Sequence, residues 1–174
     1  AKNIAASNKG GIGDIEKGFK EADVIIERTY RTGHIQCTPL EPHVVYTYME
    51  GDRLVIRAST QVPFHLRRIV SRATGYPEIK IHVIKERVGG GFGAKQDVVM
   101  EELSSYITLQ TGKPVYHRFT REEEFIASRT RHPTIINVKV GANKQGQITA
   151  VDMKVQADTG AYGPHCLTVP MNAC

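Results

Sequence analysis

Hydrophobic and polar positions change period several times along the chain, and each change marks an element. Residues 1–13 show no apolar period, and Ser7-Asn8-Lys9-Gly10-Gly11 reads as a linker. Asp14 is placed to cap a short helix to about Glu21, since its carboxylate accepts amide hydrogens that the first turn leaves unpaired. Val24–Tyr30 is β-rich and predicts a strand, and Gln36–Pro42, punctuated by Pro39 and Pro42, predicts a loop. His43–Met49 and Arg53–Ala58 are β-rich runs joined by Glu50-Gly51-Asp52, a short hairpin.

A helix is expected from about Val62 to Ala73. Pro63 sits in its first turn, where a missing N–H costs nothing, and Thr74-Gly75 stops it. Phe64, Ile69, Val70 and Ala73 form its apolar face, against Arg67, Arg68 and Arg72. Ile79–Arg87 alternates Ile79, Ile81 and Val83 with Lys80 and His82, the signature of a strand. A second helix, about Asp97 to Thr111, places Val99, Leu103, Tyr106 and Ile107 on one stripe expected to be buried, with Glu101, Glu102 and Ser105 outside. Gly112 and Pro114 end it. Val115–Phe119 predicts a strand and Arg121–Ile126 a helical turn or more. Thr134–Ala142 and Gln147–Ala157 predict a long hairpin around Asn143-Lys144-Gln145-Gly146. The mixed order implies an α+β class, a mixed β-sheet with packed helices. The stretch from Gly160 to Cys174 has no closing element, so the chain is expected to stop within a domain.

Composition narrows the class without changing it. Of 174 residues, 40% are hydrophobic and 24% charged, the balance of a folded globular domain. No apolar run reaches the roughly 18 residues of a membrane helix, and Ala1–Ala6 is no secretory signal. Cys37, Cys166 and Cys174 are odd in number, far apart and without zinc-ligand spacing, which implies free thiols and a reducing, cytoplasmic setting. The net charge is +5, but the basic residues are dispersed, and Glu122-Glu123-Glu124 interrupts the densest stretch. Without a nucleic-acid signature this charge predicts no nucleic-acid partner.

The most informative stretch is Val88-Gly89-Gly90-Gly91-Phe92-Gly93-Ala94-Lys95-Gln96, between a predicted strand and a predicted helix. Four glycines in five positions allow positive φ and close backbone approach to a ligand, and successive N–H groups favour an acceptor or anion. Gly89-x-Gly91-x-x-Ala94 formally satisfies a dinucleotide fingerprint, yet the next strand carries no acidic residue at its end. A P-loop fails, because Ala94 precedes Lys95 and Gln96 follows it.

This loop is similar to the Gly-Gly-Gly-Phe-Gly-Gly-Lys-Glu loop of the molybdenum hydroxylases, the xanthine dehydrogenase and aldehyde oxidase family. Other segments resembling that family follow in the same order: Gly13–Phe19 with Glu21-Ala22-Asp23, Leu40-Glu41-Pro42-His43, Ser59-Thr60-Gln61, Arg131-His132-Pro133 and Asp158-Thr159-Gly160-Ala161-Tyr162. By this resemblance, which covers practically the whole chain, residues 14–174 form a partial molybdopterin-binding domain, incomplete at its C-terminal end, behind a 1–13 linker.

The resemblance implies a site. Gln61 corresponds to the glutamine beside the molybdenum, a neutral donor suited to the metal's terminal ligands; read from the residues alone, it also suits a cap for the helix beginning near Val62. Gly91, Phe92 and Gly93 correspond to residues whose backbone approaches the metal centre and the pterin, with Phe92 an apolar wall. Gln61 and Phe92 are thus expected near the metal without ligating it. Gln96 stands where purine-oxidising members carry a glutamate that contacts the heterocycle. An amide donates and accepts hydrogen bonds but takes up no proton, which leaves open a different purine, a nicotinate-like N-heterocycle or an aromatic thioester. No catalytic residue is expected here: the family's general-base glutamate and substrate-orienting arginine lie beyond this chain, Glu41 falls in a structural segment, and Asp97 reads as a helix-start residue. The implied cofactor is molybdopterin. Iron–sulfur and FAD groups belong to partner domains or subunits, since no cysteine cluster suits [2Fe–2S]. The parent would oxidise an N-heterocycle or aldehyde with water as oxygen source, as a dimeric assembly, and this piece alone would be inactive. A non-catalytic scaffold of the same fold and a dinucleotide-binding module are the alternatives.

Overall fold

The computed structural model describes residues 3–161, 163 and 165–172; Ala1, Lys2, Tyr162, Pro164 and Cys174, used in the sequence reading, lie outside the described residues. In chain order the elements are α1 (Ile15–Lys20), β1 (Val24–Arg31), β2 (Ile35–Gln36), β3 (Val44–Glu50), β4 (Arg53–Ala58), α2 (Pro63–Thr74), β5 (Ile81–Ile84) and α3 (Glu101–Thr111). There follow β6 (Val115–Arg118), α4 (Arg121–Ala127), β7 (Thr130–Arg131), β8 (Thr134–Ala142), β9 (Ile148–Ala157) and α5 (Thr168–Met171). They fall into two compact units, residues 36–131 and the two flanking segments 1–35 and 132–174. No helix among the described residues is long and apolar enough to cross a membrane.

The flanking unit is an antiparallel sheet in the order β1-β8-β9 with α1 against it. Asp14 caps α1 as expected, its carboxylate accepting from the Lys17 N–H at 3.0 Å. The helix lies so close to the sheet that a β-carbon on Gly18 would strike the Thr149 carbonyl, and one on Gly141 would come within 2.9 Å of Ala22 Cβ. The β8–β9 turn is tied by Asn143, whose side-chain oxygen accepts from the Gln145 and Gln147 N–H groups at 3.1 and 3.0 Å. Residues 4–12 carry no helix or strand.

The central unit is a four-stranded sheet in the order β5-β4-β3-β6. β3 pairs antiparallel with β4 and β6, while β5 joins β4 in parallel through the α2 crossover, so the sheet is mixed as expected. Alternation puts Val45 and Thr47 of β3 and Leu54, Ile56 and Ala58 of β4 on one buried face. Leu66 and Val70 of α2, Ile81, Met100 and Phe119 complete that core. Gly75 and Gly112 end α2 and α3 with φ of 72° and 67°, the left-handed stop that glycine adopts at least cost.

Three local expectations are corrected. In α2 the buried face centres on Leu66 and Val70, while Phe64 is 74% exposed. β5 is short: Glu78–Lys80 forms a 3₁₀ turn and pairing with Leu54–Arg57 of β4 extends only over Ile81–Ile84, so Lys85–Val88 is loop. The expected Asp97 helix start is displaced to Glu101, and α3 buries its polar face. Glu101, Ser104, Ser105 and Thr108 are enclosed, while Leu103, Tyr106 and Ile107 face outward. The reason is hydrogen bonding and size. Thr47 donates to the Ser104 carbonyl and pairs with the Thr108 hydroxyl, and the small side chains let the helix sit close on β3.

Candidate functional site

The glycine loop takes the strained backbone its composition suggests. Gly90, Phe92 and Gly93 have φ of +98°, +53° and +94°. Glycine accepts this freely, whereas at Phe92 such a conformation costs about 1–3 kcal/mol and persists only where the surroundings impose it. The surroundings do so at both ends. At the first, Gly89 is clasped by Glu41: the Glu41 N–H donates to the Gly89 carbonyl at 3.2 Å, and the Gly89 N–H donates to Glu41 Oε2 at 2.8 Å. A β-carbon on Gly89 would lie 2.6 Å from Glu41 Cβ. At the second, Gln61 Oε1 accepts from the Gly93 and Lys95 N–H groups at 3.1 and 3.3 Å, while the Gln61 N–H donates to the Lys95 carbonyl at 2.9 Å.

Lys95, fully buried, closes the frame. Its Nζ donates to the Glu41 carbonyl and Glu41 Oε2, both at 2.8 Å, and to Ser59 Oγ at 2.7 Å, and the Ser59 hydroxyl donates to Glu41 Oε2. Burial alone would raise the Glu41 carboxyl. The Lys95, Ser59 and Gly89 hydrogen bonds outweigh it and hold the group below its ordinary value of 4.5. Below Glu41, buried His43 donates its backbone N–H to Glu124 at 2.8 Å and places its Nδ1 2.9 Å from the same carboxylate. Burial would raise Glu124 too, and the His43 amide and ring reverse it. The expected structural role of Glu41 is therefore concrete.

The predicted site residues Gln61, Gly91, Phe92 and Gly93 are brought together. A β-carbon on Gly91 would sit 2.5 Å from Gln61 Oε1, so the glycine leaves room for that carboxamide. Gln61 does not cap α2, which has no side-chain cap; Thr60 Oγ1 accepts the Val62 N–H just before the helix, at 3.1 Å. Because Oε1 takes two backbone donors, the amide cannot flip, and its Nε2 makes no hydrogen bond within the described residues. The N–H groups of Gly90, Gly91 and Phe92 are likewise unengaged there. Phe92 is 60% exposed, its carbonyl accepting from the Cys37 thiol at 3.6 Å. Gln96 is half-buried in a 3₁₀ turn, Ala94–Gln96, and its side chain makes no hydrogen bond within the described residues. Gln61 also borders an open cleft of about 460 Å³ with Phe64, His65, Arg68 and Lys85.

Two expectations fail here. The helix expected directly after the loop does not open there, since Ala94–Gln96 is a 3₁₀ turn and α3 begins at Glu101. Asp97 instead accepts from Arg129 Nε at 3.0 Å. Sequence reasoning passed over Ser59, Lys95, Cys37 and Arg131 as site components. Arg131 Nη1 lies 3.8 Å from where a Gly93 β-carbon would stand. A lysine closing a glycine run was the available signal, set aside once the P-loop pattern failed. The dinucleotide pattern lacks its framework, since β5 and β6 lie at opposite edges of the sheet and form no βαβ pair.

Three unengaged loop amides, a carboxamide fixed by its oxygen and an exposed apolar ring on one short segment suit a group rich in acceptor atoms. Among the described residues no group of three or more His, Cys, Asp or Glu is placed to ligate a metal. Residues 1–174 match the molybdopterin cofactor-binding domain family, and the chain belongs to it. It is 60% identical over 171 residues to the probable hypoxanthine oxidase XdhD of Escherichia coli K12, covering 98% of this chain and 18% of that one. It is 36% identical over 165 residues to the putative xanthine dehydrogenase molybdenum-binding subunit XdhA of the same organism, over 94% of this chain and 22% of that one. Among solved structures, the aldehyde oxidoreductase of Desulfovibrio gigas superposes with a TM-score of 0.77 at 27% identity, over 88% of this chain and 17% of that one. The chain thus spans about a fifth of these relatives' length. The loop and Gln61 fit the family's cofactor: a donor set without negative charge suits a ligand whose exposed atoms are acceptors.

Proposed function

We propose that this chain is the part of a molybdopterin-dependent hydroxylase that presents Gln61 and the Gly90–Phe92 backbone to the cofactor, and that the parent enzyme oxidises a purine-like N-heterocycle. The observation that carries this is the locked Gln61 carboxamide, its oxygen consumed by the loop and its N–H₂ left to donate. When bound, the cofactor supplies the two-electron oxidation and delivers water-derived oxygen to an electron-poor carbon. This chain's residues bind and orient. Gln61 donates without adding charge, the loop amides add fixed dipoles, and Phe92 offers an apolar face against which a flat ring can stack. Gln96 hydrogen-bonds the heterocycle in both senses and holds no proton for it. The purine class is supported by the likeness to the probable hypoxanthine oxidase. Residues 14–174 belong to a larger domain of a cytoplasmic subunit that works with iron–sulfur and flavin partners in a dimeric assembly, and general acid–base chemistry belongs to the remainder of that subunit.

The test is a substrate panel on the full-length parent purified with its partners: hypoxanthine, xanthine, nicotinate and benzaldehyde. Hypoxanthine is expected to give the highest kcat/KM, and Gln96→Glu to shift preference toward xanthine by about tenfold, the scale of one altered charged hydrogen bond. Oxidation of benzaldehyde alone, or a Gln96→Glu enzyme with an unchanged substrate ratio, contradicts the purine reading.

A further inference from the structure

Lys95 has no place in the function proposed above, yet it is the largest of the fully buried side chains and all of its donors are used. An ammonium carries three N–H groups, and here they meet three oxygens: the Glu41 carbonyl, Glu41 Oε2 and Ser59 Oγ. Glu41 Oε2 in turn receives Lys95, Ser59 and the Gly89 N–H, a load that suits an anionic oxygen. The backbone of Lys95 brackets Gln61 from both sides, its N–H donating to the Gln61 side chain and its carbonyl accepting the Gln61 N–H. One residue therefore joins both ends of the glycine loop to the segment that carries Gln61. Between those ends lie the strained Phe92 and the three unengaged amides.

We propose, resting on the cofactor reading above, that Lys95 is the positioning residue of the site: through Glu41 and Ser59 it fixes the glycine loop and the Gln61 carboxamide in register with the cofactor, without touching it. A purely structural lysine would be worth only stability. A positioning lysine also sets where the Gln61 N–H₂ and the Gly90–Phe92 N–H groups point, and displacements of about 1 Å at such groups cost on the order of 100-fold in rate. Arginine is no substitute, because its planar fork is larger than an ammonium and cannot place three donors on the Glu41 carbonyl, Glu41 Oε2 and Ser59 Oγ as the buried Lys95 Nζ does.

The experiment uses the full-length parent enzyme with its partners, with Lys95→Met, Lys95→Arg and the charge-free pair Glu41→Gln/Lys95→Met. Molybdenum content, thermal midpoint, hypoxanthine turnover per molybdenum atom, and the EPR spectrum of the partly reduced metal are measured for each. Expected for every variant that retains the metal is turnover per molybdenum lower by about 10- to 100-fold, KM within about twofold, and an altered EPR spectrum. The double variant removes the buried charge as well as its partner and so keeps the folded state accessible if Lys95→Met alone does not fold. A structural role alone would lower molybdenum content or the thermal midpoint while leaving turnover per molybdenum and the spectrum at wild-type values, and that result in Lys95→Met or the double variant overturns the proposal. Wild-type enzyme that folds with its partners yet holds no molybdenum overturns the cofactor reading itself, and this inference with it.

Discussion

At the residue scale the site depends on what glycine omits. Gly91 has no positive φ to defend, so alanine suits its backbone. The added β-carbon would instead meet the end of the Gln61 side chain, 2.5 Å from Oε1 and 2.7 Å from Cδ, and a side-chain terminus can move aside. Gly91→Ala is therefore expected to cost about 1–2 kcal/mol, the two hydrogen bonds Gln61 gives up, and to lower turnover per molybdenum in the parent enzyme by about tenfold or more. Denaturant unfolding beside metal-normalised kinetics separates the two effects. Loss of turnover in proportion to unfolded protein would refute this account of Gly91. The glycine cluster was legible in the sequence because four glycines in five positions are unusual, and Gln61 only through the resemblance of Ser59-Thr60-Gln61 to a family segment. The Glu41–Ser59–Lys95 linkage was not, because three ordinary polar residues far apart in the chain announce nothing until the fold juxtaposes them.

Periodicity located the elements well, and erred where an element has two faces that qualify for burial. α3 shows this most clearly. Its apolar stripe made Leu103, Tyr106 and Ile107 the natural inner face, yet the sheet takes Ser104, Ser105 and Thr108, whose small side chains allow close approach, with Thr47 bonding the Ser104 carbonyl and the Thr108 hydroxyl. Which face turns inward is decided by partners from β3, and a single element's sequence does not contain them. Leu103→Gln in this chain is accordingly expected to change stability by no more than about 0.5 kcal/mol, and Ser105→Leu to destabilise by about 1–3 kcal/mol through overpacking. Urea unfolding checks both, and the reverse order would restore the apolar stripe as the inner face. Similarly, β5 shrank from the alternating run because its parallel partner β4 pairs with only four of its residues.

On the scale of the whole molecule, the flanking unit draws on both ends of the described chain. Val24 of β1 pairs with Ala142 of β8, so the first strand finds its neighbour only after the entire central unit has intervened. Local patterns predicted both strands and could not predict their pairing. Stability of the molecule in acid follows from the carboxylates whose ionisation the fold shifts, fully buried Glu124 and partly buried Glu41 and Glu102. Glu41 and Glu124 lie below the ordinary 4.5 when folded, so the stability they add is present above about pH 4.5 and is lost as pH falls through their lowered values. Glu102 runs the other way: burial, then the charge of Glu101, raises it, so its ionised form opposes folding at neutral pH. Calorimetry is expected to show Glu124→Gln melting below the wild type at pH 7 and losing less of its midpoint between about pH 5 and pH 3. Glu102→Gln is expected to melt above the wild type at pH 7, with the gap closing in acid. Parallel pH curves for all three proteins would contradict these assignments.

The central claim is that the Gln61 carboxamide, held by the glycine loop, faces the molybdenum cofactor. Its most direct test is the EPR spectrum of partly reduced molybdenum in the full-length parent, compared between wild type and Gln61→Ala at equal metal content. A spectrum shifted by loss of the amide donor, in a protein of wild-type melting behaviour, is the expected result. Superimposable spectra would place Gln61 away from the metal and contradict the account.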